Sequence, residues 1–213
     1  MHDIQNTVTS LIFAIVSANL LLCFTHIFCP SLIKVVLMKS LANKNIVIVI
    51  AKSRFRDEEY SEPRKVLERE GARVTVASST LDLAEGMLGL TVKPDLLISA
   101  VKEQEYDGIV FVGGGGAREY FDSPVAHELA KSFFKSGKLT SAICIAPAIL
   151  ANAGLLQGKE ATSFPSSLEI LKANGATVQN ESVVRDGTLV TGIGPEAAKK
   201  FGEKLVDVLL GRP

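Results

Sequence analysis

Cys144 lies in the stretch of this chain whose residue types and spacing favour chemistry most clearly. A short apolar run ends at Cys144, and a helix is predicted to begin near Pro147. Ala142 and Ala146 are small enough for the sharp strand-to-helix turn of a nucleophile elbow. Unpaired N–H groups at the start of that helix favour a thiolate. The pattern predicts a nucleophile, although a lone cysteine at a strand end is also commonly an inert buried thiol.

Two further features lie just beyond the carboxyl ends of predicted strands, which is where the reactive groups of a parallel sheet usually lie. Glu59 follows the first predicted strand, and four consecutive glycines at 113–116 follow a later one. A carboxyl group beside a thiolate can hydrogen-bond the sulfur and act as acid or base. A glycine N–H and the backbone N–H of Ile145 can stabilise an oxyanion. Together with Cys144, these groups predict attack on an electrophilic carbon.

The elements that must position these residues alternate between apolar strands and helices. Pro63 is expected in the first turn of the first helix and Gly71 at its end. Residues 78–105 are expected to form a short hairpin and connector with no assigned function. The alternation predicts an α/β three-layer domain with a mostly parallel sheet. Strands are predicted at 45–51, 73–77, 108–112, 141–144, 159–164, 176–178, 182–184 and 189–191, and helices at 58–71, 124–135, 147–153, 167–173 and 195–210.

The composition argues against several classes of function. The 23 basic and 23 acidic residues cancel, so nothing favours nucleic acid or a polyanionic substrate as a partner. With 47% hydrophobic residues, the chain can bury one sizeable core. Its three cysteines, Cys23, Cys29 and Cys144, contain no CxxC pair. Neither a disulfide framework nor a zinc site is therefore indicated, and no cofactor is predicted.

Residues 1–37 form a hydrophobic leader that differs from the rest of the chain. No charged residue occurs between Ile4 and Ile33, and residues 8–29 are long and apolar enough to cross a bilayer as a helix. The lysines that follow would then keep the domain in the cytoplasm. Alternatively, Met38 is the true first residue and the leader reflects a wrongly assigned start. Both interpretations leave residues 38–213 as a cytoplasmic domain.

Four motifs carry a resemblance to a known family: FRDEE at 55–59, VFVGGG at 110–115, AICIAP at 142–147 and GLLQGK at 154–159. With them, residues 44–211 resemble the ThiJ/PfpI superfamily. The resemblance implies a flavodoxin-like sandwich and a homodimer. It also implies that Cys144 is the reactive cysteine, Glu59 the glutamate that contacts the elbow, and Gly115 the backbone of the oxyanion site.

The chain departs from the family pattern where relatives carry a histidine. Protease-like members follow the cysteine with His-Gly, and this chain has Ile145 and Ala146 there. Deglycase-like members place a histidine just before a proline, at the position of Phe164. Because loss of a general base typically costs about a hundred- to ten-thousand-fold in rate, peptide-bond cleavage is the least favoured activity.

Four other polar side chains bear on the absence of this histidine. Glu119 matches the acidic residue that a neighbouring subunit lends to the protease histidine, and it is expected to be a solvated loop charge. His127, the only histidine of the domain, is expected at the surface. Ser163 and Arg118 are the remaining alternatives to a histidine.

These observations predict a cysteine-dependent carbonyl-stress or redox protein. Its partner would be a small-molecule carbonyl substrate, such as a glyoxal or an adduct made from one, or an oxidant. The alternatives are a non-enzymatic redox sensor or holdase, and a homologue without activity.

Overall fold

The computed structural model describes residues 40–213, which contain twelve strands and five α-helices. The strands are β1 (Asn45–Val49), β2 (Ser53–Phe55), β3 (Arg73–Ser78), β4 (Ala84–Gly86), β5 (Thr91–Val92), β6 (Leu96–Leu97), β7 (Gly108–Phe111), β8 (Leu139–Ile143), β9 (Glu160–Ala161), β10 (Thr177–Val178), β11 (Val183–Asp186) and β12 (Leu189–Gly192). The helices are α1 (Asp57–Arg69), α2 (Pro124–Lys135), α3 (Pro147–Asn152), α4 (Leu168–Ala173) and α5 (Ala198–Leu209). Short 3-10 helices occupy Ile98–Ala100, Glu103–Glu105, Gly115–Tyr120, Pro165–Ser167 and Pro195–Ala197.

A seven-stranded sheet in the order β11-β12-β8-β7-β1-β3-β6 forms the middle layer. Every neighbouring pair is parallel except β11 and β12, which are antiparallel. The side chains of β1 between Ile46 and Val49 are at most 1% exposed, as expected of an apolar strand covered on both faces. The predicted α/β architecture with a mostly parallel sheet is therefore confirmed.

The helices form the two outer layers. Helix α1 packs against α5, while α3 contacts both α2 and α4. The contact between α1 and α5 is close, because a Cβ added to Gly202 would lie 2.8 Å from the Cα of Pro63. Burying the apolar stripes of these helices against the sheet is the main source of stability in such a fold.

The start of α1 differs from the prediction. The helix begins at Asp57, and Pro63 is its seventh residue rather than part of its first turn. Acidic residues complement the positive end of a helix dipole, so the acidic first turn of α1 favours this earlier start. Gly71, with φ of 96°, follows the helix as predicted.

The predicted hairpin within residues 78–105 is formed by β4 and β5, which pair antiparallel. Strand β2, which the sequence did not predict, adds to it by pairing with β4. The carboxylate of Asp57 anchors the hairpin turn, since it accepts the N–H groups of Leu88 and Leu90 at 2.9 Å each. The segment leaves five large apolar side chains 37–65% exposed: Leu81, Leu83, Met87, Leu88 and Leu90.

The predicted membrane segment at 8–29 and the alternative start at Met38 lie outside the described residues. None of the helices formed by residues 40–213 combines the length and the hydropathy that a membrane span requires.

Candidate active site

Cys144 occupies a strained turn between β8 and α3. Its φ is 63°, in the left-handed region that few non-glycine residues adopt and that costs on the order of 1–3 kcal/mol. Three hydrogen bonds of 2.8 Å hold this conformation: the Cys144 N–H donates to the carbonyl of Gly192, and its carbonyl accepts from the N–H of Phe164 and the hydroxyl of Ser163. The predicted nucleophile elbow is formed.

Gly113, at the end of β7, lets the elbow and α1 approach each other closely. A Cβ added there would lie 2.6 Å from the Cβ of Cys144 and 2.6 Å from Oε2 of Glu59. Any side chain at this position would push the thiol and the carboxyl group apart. The glycine is therefore required by the close approach of the two reactive groups.

Glu59 projects from the first turn of α1 and is fully buried. Its Oε2 accepts the Gly113 N–H at 3.1 Å, and its carboxyl group lies beside the Cys144 side chain. No N–H or hydroxyl group of the described residues donates to Oε1. Because burial disfavours the charged form, the pKa of Glu59 is raised from 4.5 to about 7.

The Cys144 thiol is not the low-pKa group that the sequence predicted. Burial and the neighbouring Glu59 carboxylate raise the pKa of Cys144 to about 12, against the weaker opposing effect of the Gly114 and Ile145 N–H groups. The prediction considered the start of α3 but could not account for how deeply the sulfur is buried. Above about pH 7 the carboxylate is ionised while the thiol keeps its proton. Attack by the sulfur therefore requires a proton acceptor.

The glycine run contributes differently from the prediction. Gly114 and Gly115 both border the cavity, but the glycine N–H that lowers the pKa of the Cys144 thiol is that of Gly114. Gly114 has φ of 88°, and a Cβ there would lie 2.5 Å from the backbone nitrogen of Arg56. Because the four glycines are identical, the sequence cannot tell which of their N–H groups acts on the sulfur. The N–H of Ile145 also lowers the pKa of the thiol, and the role of Gly115 at an oxyanion stays a prediction.

A cavity of about 370 Å³ opens at the sulfur. Ile145 and Phe164 both line it, and neither side chain can act as a base. Met87, from the hairpin to which the sequence assigned no function, also lines the cavity. Its position there could not be predicted without the folded structure of the hairpin. The lining residues are Arg56, Glu59, Met87, Gly114, Gly115, Arg118, Cys144, Ile145, Phe164 and Pro195.

Of the other candidate side chains, His127 and Ser163 bond to backbone carbonyl groups, while Arg118 lines the cavity. Nε2 of His127 lies 2.8 Å from the carbonyl oxygen of Phe121, which gives the half-buried ring a structural role. The Ser163 hydroxyl donates to the backbone of the elbow rather than to the sulfur. Among residues 40–213, Glu59 contributes the only carboxyl group that lines the cavity.

Glu119 is exposed, as predicted, but it is not a free surface charge. Its Oε1 accepts the Lys52 N–H at 3.1 Å and the Ser79 hydroxyl at 3.0 Å. These bonds tie together the loops that follow β1 and β3. Among residues 40–213, no group of three His, Cys, Asp or Glu side chains is placed to bind a metal ion.

The fold and the site define a class of protein: a three-layer α/β sandwich with a cysteine at a nucleophile elbow and a buried glutamate beside it. Residues 44–208 match the DJ-1/PfpI family, and the chain belongs to this family. The family resemblance inferred from the sequence motifs is therefore confirmed.

Individual relatives agree with this assignment. An uncharacterized protein of Methanocaldococcus jannaschii is 38% identical, with 80% of this chain and 85% of the relative covered. A protein of Pyrococcus abyssi named a deglycase is 34% identical over 68% of this chain and 87% of its own length. The crystal structure of a ThiJ/PfpI domain protein from Brachyspira murdochii superposes with a TM-score of 0.77 at 34% identity, covering 79% of this chain and 98% of the other.

Proposed function

We propose that this protein is a cysteine-dependent enzyme that converts small reactive aldehydes such as methylglyoxal, or adducts made from them. The observation that carries the proposal is the pairing of Cys144 with a buried carboxyl group of pKa about 7 at the floor of a small cavity. A base is most effective when its pKa lies near the working pH. Relatives named deglycases support the same class of substrate.

In the first step, the Cys144 sulfur adds to the aldehyde carbon of methylglyoxal. A sulfur–carbon bond forms, the carbonyl π electrons move to the oxygen, and the thiol proton passes to Glu59. The backbone N–H groups of Gly114 and Ile145, which act on the Cys144 sulfur, are available to stabilise the oxyanion. Returning the proton to this oxygen gives a hemithioacetal and restores the Glu59 carboxylate.

In the second step, Glu59 removes the hydrogen of the former aldehyde carbon as a proton and returns it to the neighbouring carbon. The hydroxyl proton of the hemithioacetal shifts at the same time to the ketone oxygen on that neighbouring carbon, so that the first carbon becomes a carbonyl and the second an alcohol. This isomerisation converts the hemithioacetal into a thioester of lactate. Water then cleaves the thioester, which releases lactate and regenerates the thiol. Glu59 carries the protons that leave sulfur and carbon, so these steps need no histidine.

We expect the purified protein to convert methylglyoxal to lactate, and Cys144→Ala to be at least about a hundredfold slower, because the substitution removes the nucleophile. Loss of methylglyoxal and appearance of lactate should be measured together in buffers without amines or thiols. A Cys23→Ser/Cys29→Ser double variant, which removes the other two cysteines of the chain, should keep the wild-type rate.

Equal rates for the wild type and Cys144→Ala would contradict the proposal. So would a wild-type protein that does not turn over but gains two oxygen atoms on Cys144 in mild peroxide, since that result favours a redox sensor. The raised pKa of Cys144 argues against the sensor, because oxidation by peroxide begins with the thiolate.

We also propose that the protein acts as a homodimer through the segment 81–90. Five exposed large apolar side chains within ten residues are unusual on a solvent-facing surface and are typical of an interface. Light scattering should give twice the chain mass, and Leu83→Glu/Leu88→Glu should give a monomer. A monomeric wild type at micromolar concentration would contradict this proposal.

A further inference from the structure

Two guanidinium groups, those of Arg56 and Arg118, line the cavity of Cys144, and a third, that of Arg54, lies beside Gly115 at the edge of the cavity. Of these three, only Arg56 is paired with a carboxylate of the residues that the structure describes. Nε of Arg56 lies 2.9 Å from Oε2 of Glu58, and its Nη2 donates to Oε1 of the same carboxylate at 3.1 Å. Arg118 lines the cavity, and the Arg54 guanidinium lies 3.6–3.9 Å from where a Cβ of Gly115 would be. Neither Arg54 nor Arg118 forms an ion pair within residues 40–213.

The chain places Arg54 beside the glycine run at a conformational cost. Its φ of 56° lies in the left-handed region, which is unfavourable for a residue with a long side chain. The segment lies so close to the run that a Cβ on Gly116 would be 1.8 Å from the carbonyl oxygen of Ser53. A Cβ on Gly114 would be 2.5 Å from the carbonyl oxygen of Arg54 itself. Such strain is most often retained where a backbone positions a ligand-binding group.

The nearby carboxyl groups do not cancel these two cations. The Glu59–Cys144 pair carries at most one negative charge at neutral pH, because the thiol keeps its proton. Glu119 directs Oε1 to the Lys52 N–H, and Glu85 borders an adjoining cavity together with Arg54 without pairing with it. Arg118 stacks over the Phe121 ring at 5.7 Å, which leaves its charge without a carboxylate partner in the described part of the chain. A guanidinium group that lines the cavity and a second one beside its Gly115 wall attract an anion and can bind its oxygens in a bidentate manner.

We propose that Arg54 and Arg118 bind an anionic group of the substrate, so that the preferred substrate carries a carboxylate or phosphate close to the carbon that Cys144 attacks. The cavity of about 370 Å³ has room for such a small molecule. This inference rests on the proposed function only in taking Cys144 as the nucleophile. Glyoxylate, in which a carboxylate is bonded directly to the aldehyde carbon, is the simplest member of this class.

The alkylation of Cys144 by iodoacetate and by iodoacetamide tests the proposal. The two reagents have nearly the same size and the same leaving group but differ by one negative charge. Clefts lined by one sign of charge raise the local concentration of an oppositely charged reactant about tenfold or more. We therefore expect the iodoacetate-to-iodoacetamide rate ratio at Cys144 to be about tenfold higher than the ratio for glutathione under the same conditions.

Two variants and one control test whether Arg54 and Arg118 cause the raised iodoacetate-to-iodoacetamide rate ratio. Arg118→Gln and Arg54→Asn should each lower the ratio several-fold, and asparagine is chosen because it tolerates a positive φ. Arg73→Gln, an exposed arginine at the start of β3, should leave the ratio unchanged. Thermal unfolding of each variant should confirm that it is folded. A wild-type ratio equal to that of glutathione, or a ratio unaffected by both cavity variants, would overturn the proposal.

This experiment separates the anion site from the proposed function, because alkylation needs no turnover. A high iodoacetate-to-iodoacetamide ratio in a protein that does not convert methylglyoxal would contradict the proposed enzymatic activity and support the anion site. Turnover of methylglyoxal together with a ratio equal to that of glutathione would support the activity and contradict the anion site. If both hold, glyoxylate should have a lower KM than methylglyoxal, and Arg118→Gln should raise the KM for glyoxylate alone.

Discussion

Glu59→Gln is expected to slow methylglyoxal turnover by about a hundred- to ten-thousand-fold, the usual cost of losing a general base. Glutamine keeps the size of the side chain, and its amide oxygen can still accept the Gly113 N–H that now bonds Oε2 at 3.1 Å. It cannot take the proton from Cys144, and within the part of the chain that the structure describes no other carboxyl group lines the cavity. Steady-state kinetics at neutral pH would measure the loss. Glu62→Gln, one turn later on α1 and paired with Lys65, is the matched control and should be as active as the wild type.

The same variant should show a lower thiol pKa, because the Glu59 carboxylate is one of the groups that raise the pKa of Cys144. The dependence of the iodoacetamide rate on pH would measure this shift. If Glu59→Gln lowers both the thiol pKa and the rate of turnover, the slower turnover results from lost proton transfer, because a general loss of structure would not make the thiol ionise more easily in this way. If neither the thiol pKa nor the turnover changes, Glu59 has no part in the reaction.

Glu59 also affects stability, and the sign follows from its pKa. A carboxyl group whose pKa rises from 4.5 to about 7 on folding binds its proton more tightly in the folded state. The free energy of unfolding should therefore fall by up to about 3 kcal/mol as the pH rises from 4.5 through 7, at 1.36 kcal/mol per pKa unit. Urea unfolding at several pH values should show this decrease in the wild type, and Glu59→Gln should lack this contribution.

Gly113→Ala should lower the free energy of unfolding by about 2–3 kcal/mol, the usual range for overpacking a filled core. The added Cβ would lie 2.6 Å from both the Cβ of Cys144 and Oε2 of Glu59, and 2.7 Å from the carbonyl oxygen of Ile143. Only the carboxyl group is the end of a flexible side chain, so relaxation would move it away from the thiol. We expect about a hundredfold loss of turnover, because a misplacement near 1 Å costs that much.

Gly115→Ala is the matched control for stability, because it lies two residues away in the same glycine run. The nearest atoms to a Cβ at that position belong to the mobile Arg54 guanidinium at 3.6–3.9 Å, which is ordinary contact distance. We expect a change of less than about 1 kcal/mol in the free energy of unfolding. Equal destabilisation by the two alanines would show that the close approach at Gly113 carries no special cost.

The strongly patterned elements could be predicted from the sequence because their residues determine them locally. The bounds of α2 agree with the structure, and the apolar run predicted as the first strand contains β1. The elbow was predictable for the same reason, since small residues flank Cys144 at fixed spacing. Strand β2 was not, because it has only three residues and exists by pairing with β4, about thirty residues further along the chain.

The electrostatics of the site could not be predicted from the sequence. A low thiol pKa was expected because Cys144 lies at the start of a helix. The burial of Cys144 and the nearby Glu59 carboxylate instead determine the pKa of the thiol and raise it. The distinction between Gly114 and Gly115 depends on backbone angles that a run of identical residues does not specify. Arg54 and Arg118 are distant in sequence, and only the folded chain places Arg118 in the cavity wall and Arg54 beside Gly115 at its edge.

The proton that Cys144 keeps at neutral pH has a consequence for selectivity among electrophiles. Highly ionised cysteines react with many compounds in a cell, whereas a thiol of pKa about 12 is nearly inert to molecules that meet it by chance. Under the proposed function, Cys144 becomes a nucleophile only when a ligand bound in the cavity reacts as the proton moves to Glu59. The buried carboxyl group would then protect the cysteine from unrelated electrophiles and still allow reaction with the proposed substrate.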